Sequence, residues 1–209
     1  MKTNKTSSVA VATETRGTRN IMSADPMVCD ADMDWTGRVA AELSKVGIDA
    51  VEEQDAMGFL DGVRIASGQL RYRHDAAPSN LLHEAGHLAC LPPAFRPMAN
   101  DDLSEVFVAM GSALEARMAE TGNPDDPLIR AILQCSDPEA TAWAYAFSVH
   151  VGIPERLAIL DDEYAGTGAI VRMQVSSGRY LGVNGLRAAG MIGSVRSYPR
   201  MDKWLQDAM

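Results

Sequence analysis

The spacing of apolar residues along the chain predicts a mainly helical protein. From Trp35 to Val46 apolar side chains recur at every third or fourth position, so they share one face of a helix that Gly47 ends. A second helix is predicted from near Pro78, with Ser79 as its N-cap. This helix ends before Pro92-Pro93, because proline lacks the amide hydrogen that a helix interior requires.

Further helices are predicted downstream. The residues from Asp102 to Glu105 have the form of a capping box and open a helix that continues to about Glu120. Its inward side chains are predicted to be Leu103, Val106, Phe107, Met110, Leu114 and Met118. A short helix is predicted over 127–134. Asp137-Pro138-Glu139 opens another helix, with Asp137 as N-cap and proline at the first position, which reaches His150. The segment 155–160 is compatible with a short helix, and 169–176 with a helix or a strand.

The segment between the first two helices follows a different period. Leu70 and Tyr72 alternate with Arg71 and Arg73, which is typical of a half-buried strand. Asp-Gly at 61–62 and Ser-Gly at 67–68 are turn signals that flank the apolar residues 63–65. The predicted fold class is therefore α+β and mainly helical, with a small antiparallel β-ribbon preceding the second helix.

Composition divides the chain into a tail and one domain. Residues 1–20 are rich in Ser, Thr, Lys and Arg and lack the apolar run of a secretory signal, which predicts a disordered tail. Residues 21–209 are predicted to form a single domain with its core at about 59–154. The C-terminal extension, 155–209, is predicted to pack on this core through Tyr198, Met201 and Trp204.

Charge and cysteine usage narrow the classes of function. The chain has a net charge of −9, and because the tail is basic, the rest is more acidic still. An acidic body argues against nucleic-acid binding, and no apolar run approaches the length of a membrane span. Cys29, Cys90 and Cys135 have no close spacing, so reduced thiols and a cytoplasmic location are predicted. Cys90 fits a packed core cysteine better than a metal ligand.

The second helix carries the motif His83-Glu84-Ala85-Gly86-His87, which has the HExxH form. Side chains at i and i+4 lie on the same helical face, so both imidazoles can reach one metal ion. Glu84 lies about 100° around the helix from His83, beside the metal. Zinc lowers the pKa of its bound water from about 15.7 to near 7, and Glu84 is predicted to act on that water as the general base.

A catalytic zinc ion needs a third protein ligand and one open position. The longer motif HExxHxxGxxH is absent, because Cys90 replaces its glycine and Pro93 its third histidine. A residue from a later helix is therefore expected, and the sequence leaves several candidates: Glu105, Glu115, Glu139 and His150. Glu105 is also explained by the capping box, and Glu139 by the preference for acids in a first helical turn.

Residues 62–154 resemble the ImmA/IrrE-type zincins, which are minimal gluzincin peptidases. Three features carry the likeness: the strand pair ending at Leu70-Tyr72, the motif at 81–88, and Glu139-Ala140 followed by Trp143-Ala144. The resemblance implies a zincin-like core with His83, His87 and Glu139 as ligands of Zn²⁺ and Glu84 as general base. The insertion between His87 and Glu139 is longer than in that family, and 155–209 has no counterpart in it.

The predicted function is that of a zinc-dependent metallopeptidase acting on a peptide or protein substrate. The alternative is a catalytically silent interaction or regulatory module that zinc stabilises, since structural zinc contributes about 10–16 kcal/mol to folding. Glu84 favours the enzyme, because a structural site does not need an uncoordinated acid beside the metal. Hydrolysis also needs a donor for the oxyanion, and Tyr145, Tyr164, His150 and the arginines are the candidates.

Overall fold

The computed structural model describes residues 33–209; the predicted tail 1–20 and Cys29 lie outside them. The described chain contains nine α-helices: α1 (Trp35–Lys45), α2 (Pro78–Cys90), α3 (Ser104–Thr121), α4 (Pro127–Ile132), α5 (Asp137–Val151), α6 (Glu155–Ala158), α7 (Glu163–Gly166), α8 (Gly168–Ser176) and α9 (Leu181–Ala188). It also contains the strands β1 (Ala50–Glu52), β2 (Val63–Ala66) and β3 (Gln69–Tyr72). The α+β, mainly helical class is therefore confirmed. Within this part of the chain no helix combines the length and apolarity needed to cross a membrane.

The three strands form one sheet in the order β1-β3-β2. β2 and β3 pair in antiparallel fashion, with Val63 opposite Tyr72 and Ala66 opposite Gln69, so the predicted ribbon is confirmed. Ser67 and Gly68 make the tight turn between them, both with positive φ. The parallel edge strand β1 was not predicted, because its three residues are mostly exposed and show no apolar alternation.

Helix α5 lies at the centre of the core. Ten of its fifteen residues are buried, so it has no polar face of the kind that marks a surface helix. Trp143 stacks on Phe147 inside it, with ring centroids 4.9 Å apart. α2 packs directly against α5, and the contact is close because position 86 is glycine: a Cβ atom there would lie 2.4 Å from the carbonyl oxygen of Ala140.

Replacing Gly86 by alanine is expected to destabilise the protein by about 1–3 kcal/mol, since the two helices must separate to admit the methyl group. The matched control is Gly111→Ala in α3, where a Cβ atom meets nothing within 4 Å. That change is expected to stabilise by up to about 1 kcal/mol, because alanine is the better helix former. Urea unfolding of both variants measures the difference, and equal effects would argue against the close contact of α2 and α5.

The predicted starts of α2 and α3 were wrong in detail. α2 begins after Ala77, with Pro78 at its first position, so Ser79 lies inside the helix and provides no cap hydrogen bond. α3 begins after Leu103, and its first amide is met by Asp102, whose Oδ1 accepts from the Ser104 nitrogen at 2.9 Å. In both places the chain enters the helix one or two residues away from the expected cap.

The predicted inward face of α3 was only partly correct. Val106 and Met110 are buried, but Phe107 is 43% exposed and Met118 is 38% exposed. The structure therefore places α3 at the surface, with a smaller contact than its apolar content indicated.

The C-terminal extension packs on both central helices. The Trp143 Nε1 atom donates to the carbonyl oxygen of Trp204 at 2.8 Å, and the Tyr198 hydroxyl donates to that of Ala142 at 2.7 Å. The backbone amide of Gln206 donates to the carbonyl oxygen of Ala89 near the end of α2, at 2.9 Å. Segment 169–176, for which the sequence is compatible with a helix or a strand, is helical and lies in α8. The extension thus covers the face of α5 that α2 leaves free.

Candidate metal centre

Three side chains from two helices converge at one edge of a cavity. Asp137, at the start of α5, has its Oδ1 atom 3.2 Å from the Nε2 atom of His87 and 4.0 Å from that of His83. The two Nε2 atoms are 3.2 Å apart. Among the described residues, His83, His87 and Asp137 are the group of His, Cys, Asp and Glu that is arranged to hold a metal ion.

The three donor atoms fit a small divalent cation. Metal bonds of about 2.0–2.1 Å in a tetrahedral site place neighbouring ligand atoms about 3.3–3.4 Å apart. The observed separations of 3.2, 3.2 and 4.0 Å bracket that value. Two imidazole nitrogens and one carboxylate oxygen are also a donor set that zinc accepts at catalytic sites. The residues present therefore fit a zinc ion with three protein ligands.

Electrostatics keeps two of these groups in the states that bind a cation. Burial disfavours the imidazolium form and lowers the pKa of His83 from 6.5 to about 4, with a further contribution from His87. The hydrogen bond from His87 lowers the pKa of Asp137, against its desolvation. At neutral pH His83 is therefore a neutral imidazole and Asp137 a carboxylate, which are the forms that ligate metals.

Glu84 lies beside this group and outside it. Only 8% of the residue is exposed, and it lines the same cavity as the two histidines. Burial raises the pKa of its carboxyl group, the largest effect on it, while His87 acts in the opposite direction. A buried carboxyl group with a raised pKa next to a metal site has the properties of a general base.

Glu139, the predicted third ligand, is not brought together with the histidines. Its Oε2 atom accepts hydrogen bonds from the Ser136 amide at 3.1 Å and the Ser136 hydroxyl at 2.7 Å. These bonds complete a capping box at the start of α5, with Ser136 and not Asp137 as the N-cap. Its carboxylate also packs against Gly185 of α9, where a Cβ atom would lie 1.9 Å from Oε1.

Asp137 is absent from the predicted ligands because the sequence predicts it as the N-cap of α5, a role that explains an acid at this position. The spacing Ser136-x-x-Glu139 is itself a capping-box signature, and it would have assigned Glu139 to the helix start. With Ser136 as cap, Asp137 becomes the first residue of the helix and is free to face α2.

The other candidates lie elsewhere. Glu105 and Glu115 are exposed on α3. His150, at the far end of α5, packs on Trp204 with ring centroids 4.9 Å apart. Cys90 is buried, and burial raises the pKa of its thiol well above the usual value, as for a core cysteine.

The cavity beside the three donor atoms has a volume of about 240 Å³. Its inner wall is apolar and is formed by Ala144, Ala158 and Ile159, all of which are buried. Phe59, which is 90% exposed, contributes to the outer rim, and Tyr164 lines the cavity as well. The cavity therefore opens to solvent beside the donor atoms.

Comparison of the chain with protein-family models, curated proteins and solved structures gives no match in any of the three.

Proposed function

We propose that this protein is a zinc-dependent peptidase that hydrolyses amide bonds, with a zincin-like core of the ImmA/IrrE type. The observation that carries the proposal is the convergence of two imidazole nitrogens and one carboxylate oxygen within 4.0 Å, at the edge of a cavity that also contains a buried, uncoordinated glutamate. His83, His87 and Asp137 would hold the metal, with Asp137 replacing Glu139 as the third ligand.

When bound at these residues, a zinc ion would polarise the scissile carbonyl group and lower the pKa of a coordinated water molecule. The protein side chains have separate tasks. His83 and His87 supply two imidazole nitrogens from adjacent turns of one helix, and Asp137 brings a negative charge from a second helix. Glu84 lines the same cavity and would accept a proton from the attacking water, while its burial keeps bulk water from competing for that proton.

The proposed hydrolysis consumes the amide and one water molecule and needs no further reactant. The Glu84 carboxylate accepts a proton as the water oxygen bonds to the carbonyl carbon, and the carbonyl π electrons move onto its oxygen. Glu84 then passes the proton to the amide nitrogen, the carbon–nitrogen bond breaks, and the products are a carboxylic acid and an amine.

Two observations favour an enzyme over a silent zinc-stabilised module. A buried carboxyl group that does not ligate the metal costs desolvation energy, and structural zinc sites have no use for it. The cavity with its apolar wall opens next to the donor atoms, whereas a structural site fills its fourth position with protein.

Metal removal tests the proposal. The purified protein is expected to contain one zinc ion per chain, and dialysis against a chelator is expected to abolish hydrolysis of a quenched fluorescent peptide library. Stoichiometric zinc should restore hydrolysis to the wild type and not to His87→Ala. Metal content is measured by atomic emission and hydrolysis by fluorescence.

The outcomes separate the alternatives. Stoichiometric zinc without hydrolysis would support the silent module, and failure to bind zinc would contradict both. Hydrolysis that persists after complete metal removal would exclude a metallopeptidase.

A further inference from the structure

Among the residues that the structure describes, Tyr164 is the tyrosine that lines the cavity. Addition of water to an amide carbonyl places negative charge on the carbonyl oxygen, and a positioned hydrogen-bond donor stabilises that charge. Of the predicted donors Tyr145, Tyr164 and His150, it is Tyr164 that lines the cavity with the two histidines and the glutamate of the motif. Tyr145 is buried against Tyr198, and His150 packs on Trp204.

The hydroxyl group of Tyr164 is held close to the candidate metal ligands. It lies 2.9 Å from the Thr141 Oγ1 atom. Thr141 is one helical turn after Asp137 on α5, so the two side chains project from the same face of the helix. Tyr164 thus connects α7 to the first turns of α5, where Asp137 lies.

The direction of this hydrogen bond follows from proton counting. The Thr141 hydroxyl has one proton, and it donates that proton to the carbonyl oxygen of Asp137 at 2.8 Å. Its bond with Tyr164 must therefore be donated by the tyrosine. Tyr164 thus has a proton directed at a neutral hydroxyl group, which is a weaker acceptor than an oxyanion.

The backbone at Tyr164 is strained. Tyr164 and Ala165 both have left-handed conformations, with φ of 55° and 56°, which side chains other than glycine rarely adopt. Strain of this kind persists where the surrounding structure holds it, and it is concentrated at functional sites. Here the strained turn carries the tyrosine whose hydroxyl group bonds to Thr141.

We propose that Tyr164 is a catalytic residue that donates a hydrogen bond from its hydroxyl to the oxyanion formed at the scissile carbonyl. This inference rests on the proposed peptidase function. When substrate binds, the Tyr164 hydroxyl gives up its hydrogen bond to Thr141 and donates to the carbonyl oxygen instead. The proton stays on the tyrosine throughout. Burial, the largest effect, raises the pKa of Tyr164 to about 12, so the hydroxyl stays protonated at neutral pH.

Two probes with the same benzyl group test the inference on the zinc-loaded protein. Benzylphosphonate presents oxygens in place of an oxyanion, whereas benzyl mercaptan offers the metal a single sulfur atom. Tyr164→Phe is expected to weaken benzylphosphonate binding by about 10- to 100-fold, which is the loss of one hydrogen bond to a charged group. Its affinity for benzyl mercaptan is expected to stay unchanged, and Tyr145→Phe, which lies outside the cavity, should leave the affinity for both probes unchanged.

Both affinities are measured by calorimetry on the same sample and compared as a ratio. A smaller folded fraction of the variant affects both affinities equally and does not change their ratio. An unchanged ratio in Tyr164→Phe would overturn the role of Tyr164 and leave the peptidase proposal standing. If neither probe binds the zinc-loaded wild type, no open metal position exists, and both proposals fail.

Discussion

Replacing Glu84 by glutamine is expected to lower peptide hydrolysis by about two to four orders of magnitude, the contribution that a general base commonly makes. The amide keeps the shape of the side chain and cannot accept the proton of the attacking water. Because Glu84 is not among the three converging donor groups, the variant is expected to retain one zinc ion per chain. Turnover of the peptide library and metal content are measured on the same preparation.

The matched control is Glu115→Gln, which removes the same charge from an exposed position on α3. It is expected to hydrolyse peptides at the wild-type rate. Undiminished hydrolysis by Glu84→Gln would contradict the mechanism, and loss of zinc from that variant would show that Glu84 belongs to the metal site itself.

Replacing Asp137 by asparagine is expected to lower zinc affinity by about two to three orders of magnitude, roughly one ligand's share of the binding free energy of a structural zinc site. The reason is that Asp137 supplies the one negative charge among the three converging donor atoms. Competition with a fluorescent chelator measures the affinity of the folded protein.

Glu139→Gln is the matched comparison, because it changes an acid two residues further along the same helical turn. It is expected to keep wild-type zinc affinity and to lose up to about 1 kcal/mol of stability, since its carboxylate completes the capping box with Ser136. The reverse result, with zinc lost from Glu139→Gln and kept by Asp137→Asn, would restore Glu139 as the third ligand.

Most of the secondary structure was predictable, because its signals are local. Prolines at 92 and 93 follow the end of α2, and the alternation around Leu70 and Tyr72 marks β3. Helix starts were less predictable. Several neighbouring polar residues at 102–105 and 136–139 satisfy the capping rules, and the choice among them depends on how the preceding loop enters the helix. Strand β1 had no signal, since its pairing with β3 and not its own pattern makes it a strand.

Burial along α3 shows a second limit of sequence reasoning. Phe107 and Met118 follow the spacing of an inward face, yet they are substantially exposed. Helical periodicity states which side chains share a face. It does not state how much of the domain is available to cover that face. Around α3 few other residues cover it, and only Val106 and Met110 are buried.

For the candidate site, the sequence by itself determined His83, Glu84 and His87, because their relation is set by the geometry of a single helix. Only the tertiary structure decided the third group. Asp137 reaches the histidines because Gly86 lets α2 approach α5 and because Ser136 and Glu139 form the cap. Contacts between segments 50 or more residues apart, such as those of Asp137 with His87 and His83, leave no period in the sequence.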